Sequence, residues 1–245
     1  MKDIDGKWTI FGCKADDPGC LHTVEEAMSY IEEVGFLPFF ACDIPGFSLE
    51  ERTVAEDWWG EEPAKDPWIW REIIARQGEI AYGKFFFNRA GFITKKWLPY
   101  FCNYRRDGYD FDALWDDGKA SARAKMVMDV FTEENADLEI LSNELKQVAR
   151  FGKGGAKGFD GIVSNLQMQT YLCVRDFRQR KNRKGESYGW PITVYCTPEH
   201  LFGPKSATGA YSESPEKSGE RIKSHLLELF PEATPSQVKR FLAGK

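Results

Sequence analysis

Apolar residues first fall at helical spacing after Thr23, where Val24, Ala27, Met28, Ile31 and Val34 share one face. Thr23 and Glu26 form a T-x-x-E capping box at the start, and Gly35 stops the helix. Phe36-Leu-Pro-Phe-Phe40 then reads as a short, buried, extended segment, and Ser48 with Glu51 offers a second capping box. Pro67 suits the first turn of a helix that carries Trp68, Trp70, Ile73, Ile74 and Ala75. Beyond Gly78, the run from Ile80 to Phe87, the turn Asn88-Arg-Ala-Gly91 and the short Phe92-Ile93 predict a hairpin. Thr94 is the expected cap of a helix running through Trp97, Leu98, Tyr100 and Phe101 to Arg105 and Arg106.

The most regular pattern lies between residues 118 and 197. Ala120, Ala124, Val127, Met128 and Phe131 line one helical face. Ser142 caps a shorter helix through Leu145, Val148 and Phe151, ended by Gly152. A loop rich in glycine and lysine, 152 to 158, leads to a third helix with Phe159, Ile162, Val163 and Leu166 inward. The period then shortens: 167 to 177 is rich in β-formers, and Trp190, Ile192, Val194 and Cys196 alternate. Pro191 marks the second run as an edge strand.

Helix, helix, helix, strand, basic loop, strand is the winged-helix order, in which the third helix enters the major groove and the hairpin loop rides on the backbone. The expected fold class is therefore mainly α with small β-hairpins (α+β), centred on a winged-helix domain over 117–203. Residues 1–116 form an N-terminal α+β region rich in aromatics, in which the helix and hairpin at 67 to 93 offer a degenerate second winged-helix unit. Residues 204–245 read as a linker to about 216 followed by helices, with Ile222, Leu226, Leu227 and Phe230 in one and Val238, Phe241 and Leu242 in the other, the latter capped by Thr234.

Composition narrows the class. A chain of 245 residues, 42% hydrophobic, with 18 Phe, 9 Tyr and 8 Trp, can bury a core and is not disordered. No apolar run approaches the length that spans a bilayer, and the acidic N-terminus is unlike a signal peptide, which predicts a cytoplasmic protein with no membrane partner. Cys13, Cys20, Cys42, Cys102, Cys173 and Cys196 are then expected as free thiols. Cys13, Cys20 and His22 lie close together, but their C-x6-C-x-H spacing is wider than a zinc knuckle, and no metal or other cofactor is expected.

The net charge of −5 argues at first against nucleic acid. Resolved along the chain, it is +8 over residues 146 to 184 and −13 elsewhere. The positive stretch covers the loop before the third helix and the tip of the hairpin. Lys153, Lys157, Arg175, Arg178, Arg180, Lys181, Arg183 and Lys184 are thus the candidate contacts to duplex DNA. The competing reading is a solvated basic loop.

Several longer segments resemble the bacterial AlkZ-related family. They are Asp57-Trp-Trp-Gly60, 70–76 (WREIIAR), 82–86 (YGKFF), 105–111 (RRDGYDF), 159–172 (FDGIVSNLQMQTYL) and Tyr188-Gly-Trp190. The resemblance implies distant similarity to AlkZ-type DNA glycosylases, built from tandem winged-helix units, which excise alkylated bases and carry a short Gln-x-Gln or Gln-x-Asp motif at the catalytic site. Gln167-Met-Gln169 has that form, which makes Gln167 and Gln169 the candidate catalytic residues. An amide can orient water but cannot act as a general base, a role for which Asp176 or Asp160 is available. The glycosylase motif lies early in those chains, whereas here it lies late. In a plain winged helix Leu166 and Gln167 would be a last helical turn and Gln169 an exposed strand residue.

Two other readings stand beside DNA recognition or repair. One is a non-catalytic module for protein interaction or regulation, with the acidic, Trp-rich segment 43 to 66 as its working surface. The other is a small-molecule enzyme with a closed pocket lined by Trp58, Trp59 and Trp70. Surface charge and exposure separate the three.

Overall fold

The computed structural model describes residues 2–4 and 7–244. A short N-terminal hairpin, β1 (Lys2–Ile4) with β2 (Lys7–Thr9), precedes α1 (Val24–Val34), β3 (Phe36–Pro38), α2 (Pro67–Gln77), β4 (Ile80–Phe86) and β5 (Arg89–Thr94). Helices α3 (Leu98–Arg106), α4 (Phe111–Asp116) and α5 (Ala122–Met128) follow. Next come β6 (Ile140–Leu141), α6 (Ser142–Val148), α7 (Phe159–Met168), β7 (Cys173–Arg178) and β8 (Ile192–Cys196). The chain ends in α8 (Pro198–Phe202), α9 (Pro204–Thr208), α10 (Pro215–Leu229) and α11 (Pro235–Leu242).

Local signals set most helix ends. The Thr23 hydroxyl accepts from the Glu26 amide and Gly35 closes α1 with φ 84°. Asp66 caps α2 ahead of Pro67. Ser121 caps α5, which is shorter than the apolar spacing from Ala120 to Phe131 predicts. Thr94 does not cap α3. It ends β5 and is buried, and the helix begins at Leu98, with Pro99 in its first turn. Ser48 and Glu51 do bond to each other, yet only a single 3-10 turn follows. Val148, assigned inward by its spacing, is 57% exposed.

The two expected hairpins are parts of one six-stranded antiparallel sheet, ordered β3-β5-β4-β7-β8-β6. The fold is therefore α+β with more continuous sheet than isolated hairpins supply. Its two halves repeat one connectivity: the first strand of each pairs with the third, β3 with β5 and β6 with β8, while the second and third form the hairpin. The halves meet where β4 lies beside β7, in register at Tyr82 and Val174. Strand β8 is interior, not an edge. Pro191 sits just before its first residue, so no ladder hydrogen bond is lost.

Each half has its own core. One comprises Phe111, Val127, Leu145, Phe159, Val163, Leu166 and Leu172. The other is larger, gathers α1 to α3 and β3 to β5, and is completed by α10 and α11. The stretch 204 to 216, read as a linker, holds α9, with Ala207 and Ala210 buried. Phe241 lies stacked on Phe86 with ring centroids 4.8 Å apart, and also meets Phe36, Phe47 and Phe101.

Cys13 and Cys20 form a disulfide, contrary to the expectation of six free thiols. Their loop folds back on 53 to 55, with Gly12 so close to the Thr53 carbonyl that a side chain would not fit. The other four cysteines are free. Among the described residues no helix is long and apolar enough to cross a membrane.

Because Phe241 fills the centre of the larger core, Phe241→Ala is expected to cost about 3–5 kcal/mol. A urea unfolding curve monitored by tryptophan fluorescence checks this, since the lower stability appears as a lower midpoint at unchanged slope.

Candidate functional site

At the seam between the halves the structure opens a cleft of about 500 Å³, within the range of small-ligand sites. Helix α2 contributes Trp68 and Arg71, β4 contributes Tyr82, Gly83 and Lys84, the β4–β5 turn contributes Asn88, and β5 contributes Arg89. From the other half come Gln167 at the end of α7, Val174 and Phe177 on β7, Trp190 and Pro191 just before β8, and Thr193 and Tyr195 on it. Strand β4 lies antiparallel to β7, paired at Tyr82 and Val174, and the register shift between Val174 and Asp176 accounts for Val174 and Phe177 sharing the cleft although they are three residues apart.

The walls are aromatic. Trp190 is 68% exposed and stands edge-on to Trp68, with centroids 6.1 Å apart. Trp59 also meets Trp68, at 5.9 Å. The Arg71 guanidinium is layered between Trp68, at 3.8 Å, and Phe177, at 4.3 Å. Such stacking suits a flat, weakly hydrated cation. Arg71 donates to Glu72 at 3.2 Å, and burial raises the Glu72 carboxyl above its usual range despite that contact. Burial likewise raises Tyr82, and burial together with nearby Asp160 pushes Tyr195 up to about 12. Both phenols are neutral at pH 7 and able to donate. Among the described residues the cleft is lined by three cations, Arg71, Lys84 and Arg89, and by no carboxylate.

Gln167 reaches this cleft and Gln169 does not. Gln167 is 1% exposed, its Oε1 accepts from the Lys84 amide at 3.0 Å, and its Nε2 donates to the Val163 carbonyl at 3.2 Å. Beside it, Lys84 Nζ donates to Ser164 Oγ at 3.1 Å. Gln169 is exposed and lines a different cleft, formed with α3, α5 and the end of α11. Asp176 pairs with Arg76 at 2.9 Å, and Asp160 is exposed on α7. Because Ser164 and Gln167 turn toward β4, the solvent face of α7 presents Asp160, Gly161 and Asn165, and no base.

The eight candidate cations divide. Arg175 is committed to the fold: it donates to Glu139 at 3.0 Å and to the carbonyls of Ala75 and Arg76 at the end of α2. Arg178 lies 3.8 Å from Glu139 and 3.9 Å from Asp176. Arg180, Lys181, Arg183 and Lys184 are exposed on the β7–β8 hairpin, and none is in an ion pair among the described residues. Asn182 shapes their turn, its Oδ1 accepting from the amides of Lys184 and Glu186. Lys153 and Lys157 are exposed in the glycine-rich loop, and Lys153 shares a shallow hollow of about 470 Å³ with Lys146 and Arg150.

The acidic segment 43 to 66 mostly serves its own fold. Asp66 caps α2, Glu50 accepts the amides of Phe11 and Ala41, Glu51 accepts that of Gly46, and Asp43 pairs with Arg240. Of its acids, only Glu56, Glu61 and Glu62 are exposed. The Trp58, Trp59 and Trp70 pocket is not found: Trp70 is core, Trp58 is buried with its indole N–H on Thr53, and the cleft uses Trp68 and Trp190 instead. Arg71 and Lys84 lie in two of the segments that resemble the family, 70–76 and 82–86, but neither they nor Arg89 stood out as site residues, since each is an isolated cation in an otherwise structural segment. Among the described residues no group of His, Cys, Asp and Glu could hold a metal ion.

A family model described as AlkZ related matches residues 21–243, nearly the whole chain. No curated protein and no solved structure matches.

The hydrogen bonds of Gln167 bear on stability. Gln167→Ala leaves the Lys84 amide without its acceptor and is expected to cost about 1–3 kcal/mol. Gln169→Ala, at an exposed site, should stay within about 0.5 kcal/mol of the parent. Paired urea titrations measure both.

Proposed function

The chain belongs to the AlkZ-related family, and from that premise we propose that it binds duplex DNA through a winged-helix unit over residues 117–203, with 24–94 as a degenerate second unit. The repeated strand connectivity and the order α5, β6, α6, α7, β7, β8 support this reading. The observation that carries it is the hairpin tip: Arg180, Lys181, Arg183 and Lys184 project together into solvent with no acidic partner in the described structure. Cations in that state bring neutralising charge to phosphates without first breaking internal ion pairs. Lys153, Lys157 and Arg178 extend the same contact, while Arg175 stays with α2.

On this reading the wing and the loop before α7 hold the backbone, and α7 is not a simple major-groove probe, because Ser164 and Gln167 face β4. The role proposed for the complex is recognition or repair of damaged DNA. Hydrolysis of an alkylated nucleotide asks little of the enzyme beyond placing a water and steadying a cationic sugar, because the alkylated base leaves readily. Gln167, which lines the cleft, is assigned the orientation of that water through the second N–H of its amide, the first being held by the Val163 carbonyl. Gln169 opens elsewhere and is not assigned a part in that step.

Two measurements test the proposal. Duplex binding followed by fluorescence anisotropy should weaken steeply with salt, and replacing Arg180, Lys181, Arg183 and Lys184 with Gln should flatten log K against log salt by about 0.9 for every phosphate left unneutralised. An unchanged slope removes the wing from the interface. With methylated duplex, release of free base is expected from wild type and from Gln169→Ala but not from folded Gln167→Ala. No release from any of them leaves the protein a binder and not a glycosylase.

A further inference from the structure

The cleft at the seam has features that backbone contact by the wing does not use. Arg71 is 4% exposed and held flat between two rings, yet its Nε finds no acceptor among the described residues. Buried donors of native proteins are nearly always paired, so a fixed guanidinium with an unanswered N–H at a cleft marks a place for an incoming acceptor. Lys84 and Arg89 add two more cations to the same lining, and no carboxylate competes with them there. Glu72 answers one end of Arg71 from behind. Trp190, a large indole left mostly in solvent, stands edge-on to Trp68, the ring that carries the Arg71 guanidinium. An exposed indole beside a second indole is a surface on which a flat ring can lie.

We propose that this cleft binds a planar aromatic ring bearing an anionic group, the chemistry of a nucleotide, with the ring against Trp68 and Trp190 and the anion on Arg71, Lys84 and Arg89. The site deepens the DNA reading, on which only the identity of the ligand's source rests. A nucleotide turned out of a strand and a free mononucleotide present the same ring and the same charge. The lining residues come from α2, β4, the β4–β5 turn and the base of the wing, so a ligand seated here touches both halves at once.

The experiment is tryptophan fluorescence titration of the whole chain with adenosine 5′-monophosphate, adenosine and a short single-stranded oligonucleotide. Saturable quenching by the monophosphate is expected, with adenosine weaker by about tenfold or more once the anion is gone. Trp190→Ala, at an exposed position that leaves the core intact, and Arg89→Gln should each reduce affinity. Arg71→Lys keeps the charge but loses the planar fork, and should reduce it further in protein that unfolds at a normal urea midpoint. Tighter binding of the oligonucleotide assigns the site to a strand, and equal or weaker binding assigns it to free nucleotide. The four-fold wing variant should bind the monophosphate as wild type does. Loss of duplex binding with this titration intact therefore tests the wing alone. No saturable quenching by any of the three probes at millimolar concentration overturns the cleft proposal, as does quenching that survives both Trp190→Ala and Arg71→Lys.

Discussion

Two consecutive arginines at the end of α3 hold the two halves of the molecule together. Arg105 donates to four backbone carbonyls, Phe85 on β4, Met168 at the end of α7, and Phe241 and Leu242 at the end of α11. Three of those carbonyls close helices, where the backbone has acceptors to spare and the helix dipole is negative. Burial pulls the Arg105 pKa down from its ordinary value, and no carboxylate offsets that; the carbonyl ends are what hold the charge. Arg106 next to it bonds the Thr170 carbonyl at 2.6 Å and Glu199 at 2.5 Å, with its guanidinium over Tyr171. The planar fork of five N–H donors makes such a joint feasible where lysine would not. With this joint in place β4 lies beside β7, and the cleft exists because those strands are neighbours.

From that joint outward, the β7–β8 hairpin and the cleft are two ends of one structure. Strands β7 and β8 carry the basic tip outward and place Phe177, Trp190 and Tyr195 at the seam. Arg175 ties β7 to the last turn of α2, the helix that supplies Trp68 and Arg71. A displacement of the β7–β8 hairpin would therefore be felt at the cleft through a strand and a capped helix, with no long relay between them.

Local features were legible in the sequence and pairings were not. Thr23 with Glu26, Gly35, Pro67 and Thr234 mark helix ends within a turn, and the structure keeps all of them. Thr94 misleads because a hydroxyl before an apolar run suits a strand end as well as a cap. The hairpins were visible from alternation, but nothing in alternation tells β4 to join β7 across some ninety residues, since that choice depends on tertiary packing. The basic tip of the β7–β8 hairpin was readable as a charge run. The cleft was not, because Trp68 and Trp190 are far apart in sequence and Arg71 sits in what looks like an ordinary amphipathic helix. Cys13 and Cys20 were close enough to pair, and only an assumption about compartment set them apart.

The return of α11 to the first core has a consequence for synthesis. Residues of β4, β5 and α3 leave the ribosome early, but Phe36, Phe86 and Phe101 have no Phe241 to close on until almost the whole chain has followed. The half containing α5 to β8 draws its core from one continuous stretch and can condense as it emerges. The order of assembly should thus run against the order of translation: the later half settles first, and the earlier half stays open, its aromatic face in need of shelter, until the last helix arrives.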